Sequence, residues 1–228
     1  MTGPSRSGEG EPLAGNQDSD GDLLAGSPTT AARLLMAGRH LFAQGGFEGT
    51  SVRALTQEAG ANLGAVTYHF ESKEALYRAV LERVFGPVKD RIGILADAPL
   101  PAPERLELFV RGMFQHLREN PDLPRFMVQE IVLGEDPSPP ILDTVRIVVG
   151  ALSEIMKEGQ EEGTVVAGDP VSMALTLLSQ PIYLSLMPSF LRREDLRDAD
   201  LPQPVEAPED HVMAFVRRAF FLPEEEST

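Results

Sequence analysis

The stretch "GTSVRALTQEAGANLGAVTYHFESKEALYRAV", residues 49–80, contains two short helical patterns separated by a glycine turn. Thr50 or Ser51 is placed to cap the first helix, and Gly60 stands where a helix ends in a left-handed residue. The second helix is predicted over Leu63 to Phe70. Two helices joined in this way are typical of a helix-turn-helix, whose second helix enters the DNA major groove.

The second helix cannot bury all of its side chains. Val66 and Phe70 lie four positions apart and are expected to face inward. Thr67, Tyr68 and His69 then lie on other faces, where an exposed aromatic ring and an exposed histidine indicate a binding partner. Side chains of these types donate hydrogen bonds to phosphate oxygens or contact thymine methyl groups.

The charge distribution also separates this part of the chain from the rest. The 228 residues carry a formal net charge of -15, which argues against nucleic-acid binding by the protein as a whole. Residues 28–91, however, hold eight Arg and Lys against six Asp and Glu, a net charge of +2. The N-terminal part therefore tolerates an anionic partner, whereas the C-terminal part is expected to do something else.

Beyond this stretch, the periodicity of apolar residues is helical, with no alternating strand pattern, and it predicts an all-α fold. Residues 1–27 are predicted to be a disordered acidic tail, 28–74 the helix-turn-helix domain, and 75–228 a helical ligand-binding and dimerisation domain. The predicted helices outside the turn motif run from Thr29 or Thr30 to Gly45, from a Ser72 cap to an interruption at Gly86-Pro87, and over 103–119, 124–133, 141–162, 169–186 and 209–221. Asn62 is predicted to cap the recognition helix.

The helix predicted over 169–186 is apolar on nearly all sides. Such a helix is buried in a large core or against another chain, and with the last helix it is our candidate for the seam of a homodimer. No apolar run is expected to reach the roughly 18 residues of a membrane-spanning helix, and no signal peptide is recognised. A cytoplasmic protein with no membrane partner is expected.

Catalytic and metal chemistry find little support in the sequence. There is no cysteine, and the four histidines are scattered without ligand spacing, so neither a metal site nor a cofactor is expected. A Ser-His-Asp arrangement, a glycine-rich phosphate loop and a plausible carboxylate pair are all lacking. We therefore expect no enzymatic activity.

The segment "GGFEGTSVRALTQEAGANLGAVTYHFESKEALYRAV", residues 45–80, resembles the N-terminal signature of the TetR family of transcriptional regulators. About 47 residues, from Thr30 to Lys73 and a little beyond, carry this resemblance. It implies a homodimeric repressor that binds a palindromic double-stranded DNA operator and is released by a small-molecule effector. It also implies that the DNA-contacting residues are Thr50, Ser51, Arg53, Asn62, Leu63, Gly64, Ala65, Thr67, Tyr68, His69 and Lys73.

The effector site is less clearly marked. The residues that could line a mostly apolar pocket with a few polar groups are His116, Phe126, Gln129, Glu130, Tyr183 and Met187. Glu130 is flanked by apolar neighbours, which suggests a cationic or hydroxyl-bearing effector. The alternative to a regulator is a helical protein-interaction adaptor that does not bind DNA, for which the net acidity and the apolar helix would also be suitable.

Overall fold

The structure is a computed structural model that describes residues 28–132, 137–191 and 208–223. Within these ranges the chain forms nine α-helices, one π-helical turn and an isolated backbone bridge between Val165 and Phe221, with no β-strand. The helices are α1 (Thr30–Gly45), α2 (Val52–Glu58), α3 (Ala65–Phe70), α4 (Lys73–Ala96), α5 (Ala102–Glu119), α6 (Leu123–Met127), α7 (Pro139–Glu161), α8 (Pro170–Leu191) and α9 (Pro208–Phe220), and the π-helical turn is Val128–Val132. The predicted all-α fold is confirmed. The predicted disordered tail, residues 1–27, lies outside the described residues.

Helices α1 to α3 and the first two turns of α4 form the part that we call the head, residues 30–80. Three hydroxyl side chains cap its helices: Thr29 accepts from the backbone N–H of residue 32 at 3.2 Å, Ser51 from that of residue 54 at 3.1 Å, and Ser72 from that of residue 75 at 3.1 Å. Each cap satisfies one of the N–H groups that a helix start leaves without a partner. Ser51, rather than Thr50, therefore caps α2.

Helix α3, the second helix of the turn motif, begins two residues later than predicted, at Ala65 instead of Leu63. Gly64 precedes it without a side-chain cap, and the backbone oxygen of Asn62, not its side chain, accepts from the Ala65 N–H at 3.1 Å. The predicted Asn62 cap is therefore wrong. Leu63 and Gly64 form a turn instead, because glycine loses much conformational entropy when it enters a helix.

The head has its own apolar centre, to which all four helices contribute. Each helix contributes side chains that are at most 1% exposed: Leu34, Phe42, Leu55, Val66 and Leu76. Helix α1 approaches α4 closely at Gly38, where an added Cβ atom would lie 3.0 Å from a methyl carbon of Val80. Close packing at this crossing fixes α1 against the start of α4.

Helix α4 continues without a break from Lys73 to Ala96, so the predicted interruption at Gly86-Pro87 is wrong. Pro87 removes only the N–H that would have bonded to the carbonyl of Arg83. Its neighbours Phe85 and Val88 are buried, and the packing they provide holds the helix together across the missing bond. Helix α4 thus runs from the head into the C-terminal core, and the boundary proposed at residue 74 falls in its first turn.

The C-terminal core consists of α5, α7 and α8 packed with α4, while α9 lies against α5 and α8. Ion pairs of Glu107, on α5, and of Glu209, on α9, attach these two helices to each other. Arg217 donates twice to Glu107, at 2.6 and 2.8 Å, and Arg118 donates to Glu209 at 3.0 Å.

Most helix limits in the C-terminal core lie within about two residues of the prediction. The helix predicted over 124–133, however, is divided into α6 and the π-helical turn, and α8 extends five residues beyond the predicted end at 186.

Helix α8 has one buried side and one exposed side. Ala174 and Leu177 are fully buried, whereas Leu175 is 47% and Tyr183 60% exposed. Over Pro170–Pro188 the helix is long and apolar enough, by length and composition alone, to cross a membrane, contrary to the expectation that no apolar run reaches this length. The core helix of a helical domain meets the same criterion, and α8 packs against α5 and α7.

Candidate nucleic-acid interface and core cavity

The turn between α2 and α3 holds the recognition helix in a fixed orientation. Gly60 has a φ of +60°, as predicted for a residue ending a helix in the left-handed region. The N–H of Ala61 donates to the carbonyl of Thr56 at 2.8 Å, which closes the turn. The Nε of Arg33, on α1, donates to the carbonyl of Ala59 at 2.9 Å. The end of α2, and with it the start of α3, is thereby attached to α1.

One face of α3 and of the preceding turn is exposed although it carries large apolar groups. The side chain of Tyr68 is 85% exposed and that of Leu63 is 64% exposed. Thr67 and His69 are exposed beside them, and the rings of Tyr68 and His69 meet edge to face, with centroids 4.9 Å apart. Val66, on the opposite face, is buried and anchors the helix. We call this exposed face, residues 62–64 and 67–69, the reading surface.

Two of the residues expected to contact DNA have buried side chains. Thr50 is 4% and Ala65 is 6% exposed. The hydroxyl of Thr50 donates to the carbonyl of Gly46 at 2.8 Å, so it shapes the turn between α1 and α2 rather than facing a partner. Both side chains are thus turned away from a partner, and a DNA contact by either residue would use its backbone. The other candidates on the turn and on α2 are exposed: Ser51, Arg53, Asn62 and Gly64.

Lys73 is already engaged within the head. Its ammonium donates to the carbonyls of Phe47, at 3.0 Å, and Thr50, at 3.2 Å, and lies 4.0 Å from the centre of the Phe47 ring. An ammonium has three N–H donors, so one remains after these two bonds. Lys73 therefore attaches the turn between α1 and α2 to the start of α4, and a phosphate contact would use the remaining donor.

The connection from α3 to α4 is a strained γ-turn centred on Glu71. Glu71 has φ +70° and ψ -42°, and the N–H of Ser72 donates to the carbonyl of Phe70 at 2.8 Å. This hand of γ-turn is rare, and a non-glycine residue adopts it at a cost in backbone energy. The strain lies between the reading surface and the Ser72 cap of α4.

Replacing Glu71 with glycine is expected to raise the free energy of unfolding by about 1 kcal/mol, because glycine adopts positive φ without steric penalty. Urea denaturation measures the change. The matched control is Glu82→Gly, which removes the same charge from an exposed position inside α4 and is expected to lower stability by about 1 kcal/mol. A loss of stability in both variants would contradict strain at Glu71.

A charged contact joins the head to the C-terminal core. Arg39, on α1, donates to the two carboxylate oxygens of Asp122 at 2.5 and 2.6 Å and to the side-chain oxygen of Asn120 at 2.9 Å. Burial tends to raise the pKa of Asp122, but the hydrogen bonds and charge of Arg39 outweigh burial and hold that pKa below its usual value. Asp122 thus stays ionised and paired with Arg39 at neutral pH.

A second contact of the head joins a buried tyrosine hydroxyl to a buried carboxylate. The hydroxyl of Tyr77, on α4, donates to one oxygen of Glu130 at 2.6 Å, and the N–H of Ser138 donates to the other at 2.7 Å. Burial and then the bond to Glu130 raise the pKa of Tyr77. The side-chain N–H of Gln129 donates to the carbonyl of Ala43, on α1, at 3.3 Å. Both oxygens of Glu130 have donors within the protein, which removes the reason for expecting a cationic effector beside it.

A cavity of about 210 Å³ opens between α4 and α5. Its walls are apolar and come from both helices: Val88, Ile92, Leu95, Leu108, Phe109 and Met113. Arg91 and His116 form its polar edge, and Gly112 leaves room along α5. A second space, at the centre of the core, measures only about 20 Å³ and shares Val88 and Met113 with the first. Between these two, only the α4–α5 cavity has room for a small molecule.

The six residues expected to line an effector site are not brought together. His116 lines the α4–α5 cavity, but Phe126 is fully buried in the core, and Gln129 and Glu130 hold the π-helical turn. The remaining two lie on α8, where Tyr183 is exposed and Met187 is half-buried. The sequence reading missed Arg91 and Met113. The sequence feature that could have identified the cavity is Arg91, a basic residue beside the apolar stripe of α4.

Comparison with known proteins gives a consistent result for the head. Residues 34–80 match the family model described as "Bacterial regulatory proteins, tetR family". The HTH-type transcriptional repressor DhaR of Mycobacterium sp. (strain GP1) is 28% identical over 134 residues, which cover 58% of this chain and 68% of DhaR. The HTH-type regulator RutR of Escherichia coli (strain K12) is 29% identical over 140 residues, 59% of each chain, whereas the match to the uncharacterised regulator YerO of Bacillus subtilis spans 46% of this chain and only 37% of that protein.

Solved structures resemble the chain over more than four fifths of its length. The reduced form of Escherichia coli NemR superimposes with a TM-score of 0.64 at 21% identity, covering 86% of this chain and 99% of NemR. A tetR-family regulatory protein from Rhodococcus RHA1 gives 0.62 at 23% identity, covering 84% and 95%. At such identities the likeness shows a shared fold and nothing more. That fold includes the C-terminal helices, which the family model does not match.

Proposed function

We propose that the chain, whose residues 34–80 match the model of the tetR family of bacterial regulatory proteins, is a repressor that binds a palindromic operator as a homodimer and leaves it when a small molecule binds. The observation that carries the proposal is the reading surface, where Tyr68 and Leu63 stay exposed on a helix that the turn at Gly60 and the Arg33 contact hold rigidly. Exposed aromatic and aliphatic groups without a partner mark an interaction site.

We assign two kinds of DNA contact to the head. Leu63, Thr67, Tyr68 and His69 lie on the reading surface and would contact base edges and thymine methyl groups in the major groove. The exposed groups at the start of α2, including Arg53, would contact phosphates and set the register without reading the sequence. A protein of this kind acts where DNA is, and we place it in the cytoplasm.

The dimer seam that we propose combines the exposed sides of α8 and α9. Leu175 and Tyr183 on α8 and Phe215 on α9 are each more than 40% exposed, although α8 and α9 pack against each other. Pairing these sides in two chains would bury them in a four-helix arrangement. Two heads held this way would meet half-sites about 34 to 36 Å apart, one turn of DNA.

Introducing a charge into this seam is expected to separate the subunits. Leu175→Glu should sediment as a monomer at micromolar concentration, because the new carboxylate would be buried without a partner. Leu142→Glu is the matched control, since Leu142 is also about half exposed, at 52%, but lies on α7 away from the seam. Sedimentation velocity separates the two outcomes, and an unchanged Leu175→Glu dimer would contradict the assignment.

Selection from a random pool of duplex DNA tests the function itself. We expect the selected sequences to be palindromic and their binding to weaken steeply with added salt, because each neutralised phosphate releases counterions. An adaptor that binds another protein through apolar contacts would select no DNA and would respond little to salt. Failure to bind any duplex at low ionic strength would end the repressor proposal.

A further inference from the structure

The polar edge of the α4–α5 cavity consists of hydrogen-bond donors. Arg91 donates from Nη1 to Nδ1 of His116 at 2.9 Å, and the side-chain nitrogen of Asn120 lies 3.2 Å from the same Nδ1. A guanidinium has no acceptor, so Nδ1 must accept and the neutral ring carries its proton on Nε2. Nε2 is buried and has no hydrogen-bond partner among the described residues. Nε2 is too enclosed to meet a ligand, so the donors of this edge are those of Arg91, whose side chain is about half exposed.

The charge of Arg91 is only weakly compensated. Its nearest carboxylate oxygen in an ion pair belongs to Glu119, 3.7 Å from Nη2, and both side chains are about half exposed, at 51% and 49%. Exposed pairs at such a distance contribute little, because water screens them. The residues that line the cavity include no acidic side chain. A negatively charged ligand would thus give Arg91 the close anionic partner that the lining of the cavity does not supply.

We propose that the α4–α5 cavity binds a monocarboxylic acid with an apolar body, its carboxylate paired with Arg91 and its body packed against Val88, Phe109 and Met113. The inference deepens the proposed ligand-responsive function and rests on it. A cation is excluded at this site because it would meet Arg91 at close range, and a neutral alcohol would leave the guanidinium without an anion.

The same residues connect the cavity with the head. The side-chain oxygen of Asn120 accepts from Arg39 on α1 at 2.9 Å, and its nitrogen lies against His116. A carboxylate that draws Arg91 toward itself removes a donor from His116, which in turn alters the position of Asn120 beside Arg39. Ligand and operator then compete through this chain of contacts, and each lowers affinity for the other by the same factor.

Calorimetric titration of the full-length protein tests the ligand class. The probes are hexanoate, octanoate and decanoate, with octanol and octylammonium as controls of matching length. We expect binding of at least one carboxylate and at least about tenfold weaker binding of both controls, because a charged hydrogen bond is lost. Octylammonium that binds as tightly as octanoate would overturn the proposal, as would the absence of carboxylate binding.

Two variants locate the site. Gly112→Leu places a side chain in the open space of the cavity, since no atom lies within 4 Å of an added Cβ, and it is expected to abolish carboxylate binding. Gly150→Leu, on α7, meets equally open space outside the cavity and is expected to bind as the parent does. Arg91→Gln should weaken carboxylate binding about tenfold or more while leaving octanol unaffected. Unchanged octanoate binding by Gly112→Leu would overturn the assignment.

Operator binding without any ligand separates this inference from the function on which it rests. A protein that binds selected DNA but no carboxylate would retain its function as a regulator and lose the proposed ligand class. A protein that binds octanoate in a manner sensitive to Arg91 and Gly112, but no DNA, would retain the site and lose the repressor function. Octanoate is expected to lower the operator affinity of the parent and not that of Gly112→Leu.

Discussion

Tyr68→Ala is expected to weaken binding to the selected operator about ten- to hundredfold, the effect of losing a good base contact at each half-site. The ring is 85% exposed and contributes little to the core, so the free energy of unfolding should stay within about 0.5 kcal/mol of the parent. Fluorescence anisotropy with the selected duplex measures the affinity, and urea denaturation measures the stability.

Ile94→Ala is the control for this experiment. Ile94 is 75% exposed on α4, so the substitution removes a comparable exposed apolar group from outside the head. Its operator affinity should equal that of the parent. Tyr68→Phe removes only the hydroxyl, so its operator affinity shows how much of the loss in Tyr68→Ala comes from the hydroxyl and how much from the ring. A Tyr68→Ala protein that binds as tightly as the parent would remove Tyr68 from the reading surface.

Tyr77→Phe is expected to lower the free energy of unfolding by about 1.5 to 3 kcal/mol, because the buried Glu130 carboxylate loses a charge-assisted hydrogen bond. No cavity is created, since the two rings differ only by the hydroxyl. The effect therefore reports the 2.6 Å bond and not the packing around it. Urea denaturation followed by circular dichroism measures the change.

The chain supplies a matched control for Tyr77→Phe. Tyr68→Phe makes the same chemical change at a side chain that is 85% exposed and lies outside the proposed dimer seam, and in the absence of DNA the stability should change by less than about 0.5 kcal/mol. The comparison thus isolates burial and pairing of the hydroxyl. Equal effects of the two substitutions would show that Glu130 is held in some other way.

The head was predictable because its signals are local. The serine caps, the left-handed Gly60 and the spacing of Val66 and Phe70 each depend on a few neighbouring residues, and these features determine where α2 and α4 begin. The burial of Thr50 and Ala65 was not predictable from the same pattern. It depends on where α1 lies, and a hydroxyl at the start of a helix is equally suited to a cap, a turn or a phosphate.

The core cavity was less predictable because its residues come from distant parts of the sequence. Arg91 and His116 are 25 positions apart and meet only when α4 packs against α5. Glu130 is an acid among apolar neighbours in the sequence, but spacing alone does not identify its partners Tyr77 and Ser138. Sequence patterns locate buried polar groups, but they do not tell whether the protein itself satisfies them.

Because α4 is continuous, a movement at its cavity end is expected to move its other end in the head as well. Arg91, at the cavity, and Lys73, beside the recognition helix, lie on one rod, separated by about 27 Å at 1.5 Å per residue. A tilt of about 5° pivoting near the cavity would carry the far end through about 2 Å, a large part of the 3.4 Å step between base pairs. A helix broken at Pro87 would absorb such a tilt at the break. Because Pro87 does not interrupt α4, a small rearrangement near Arg91 is expected to displace the end of the helix that lies in the head.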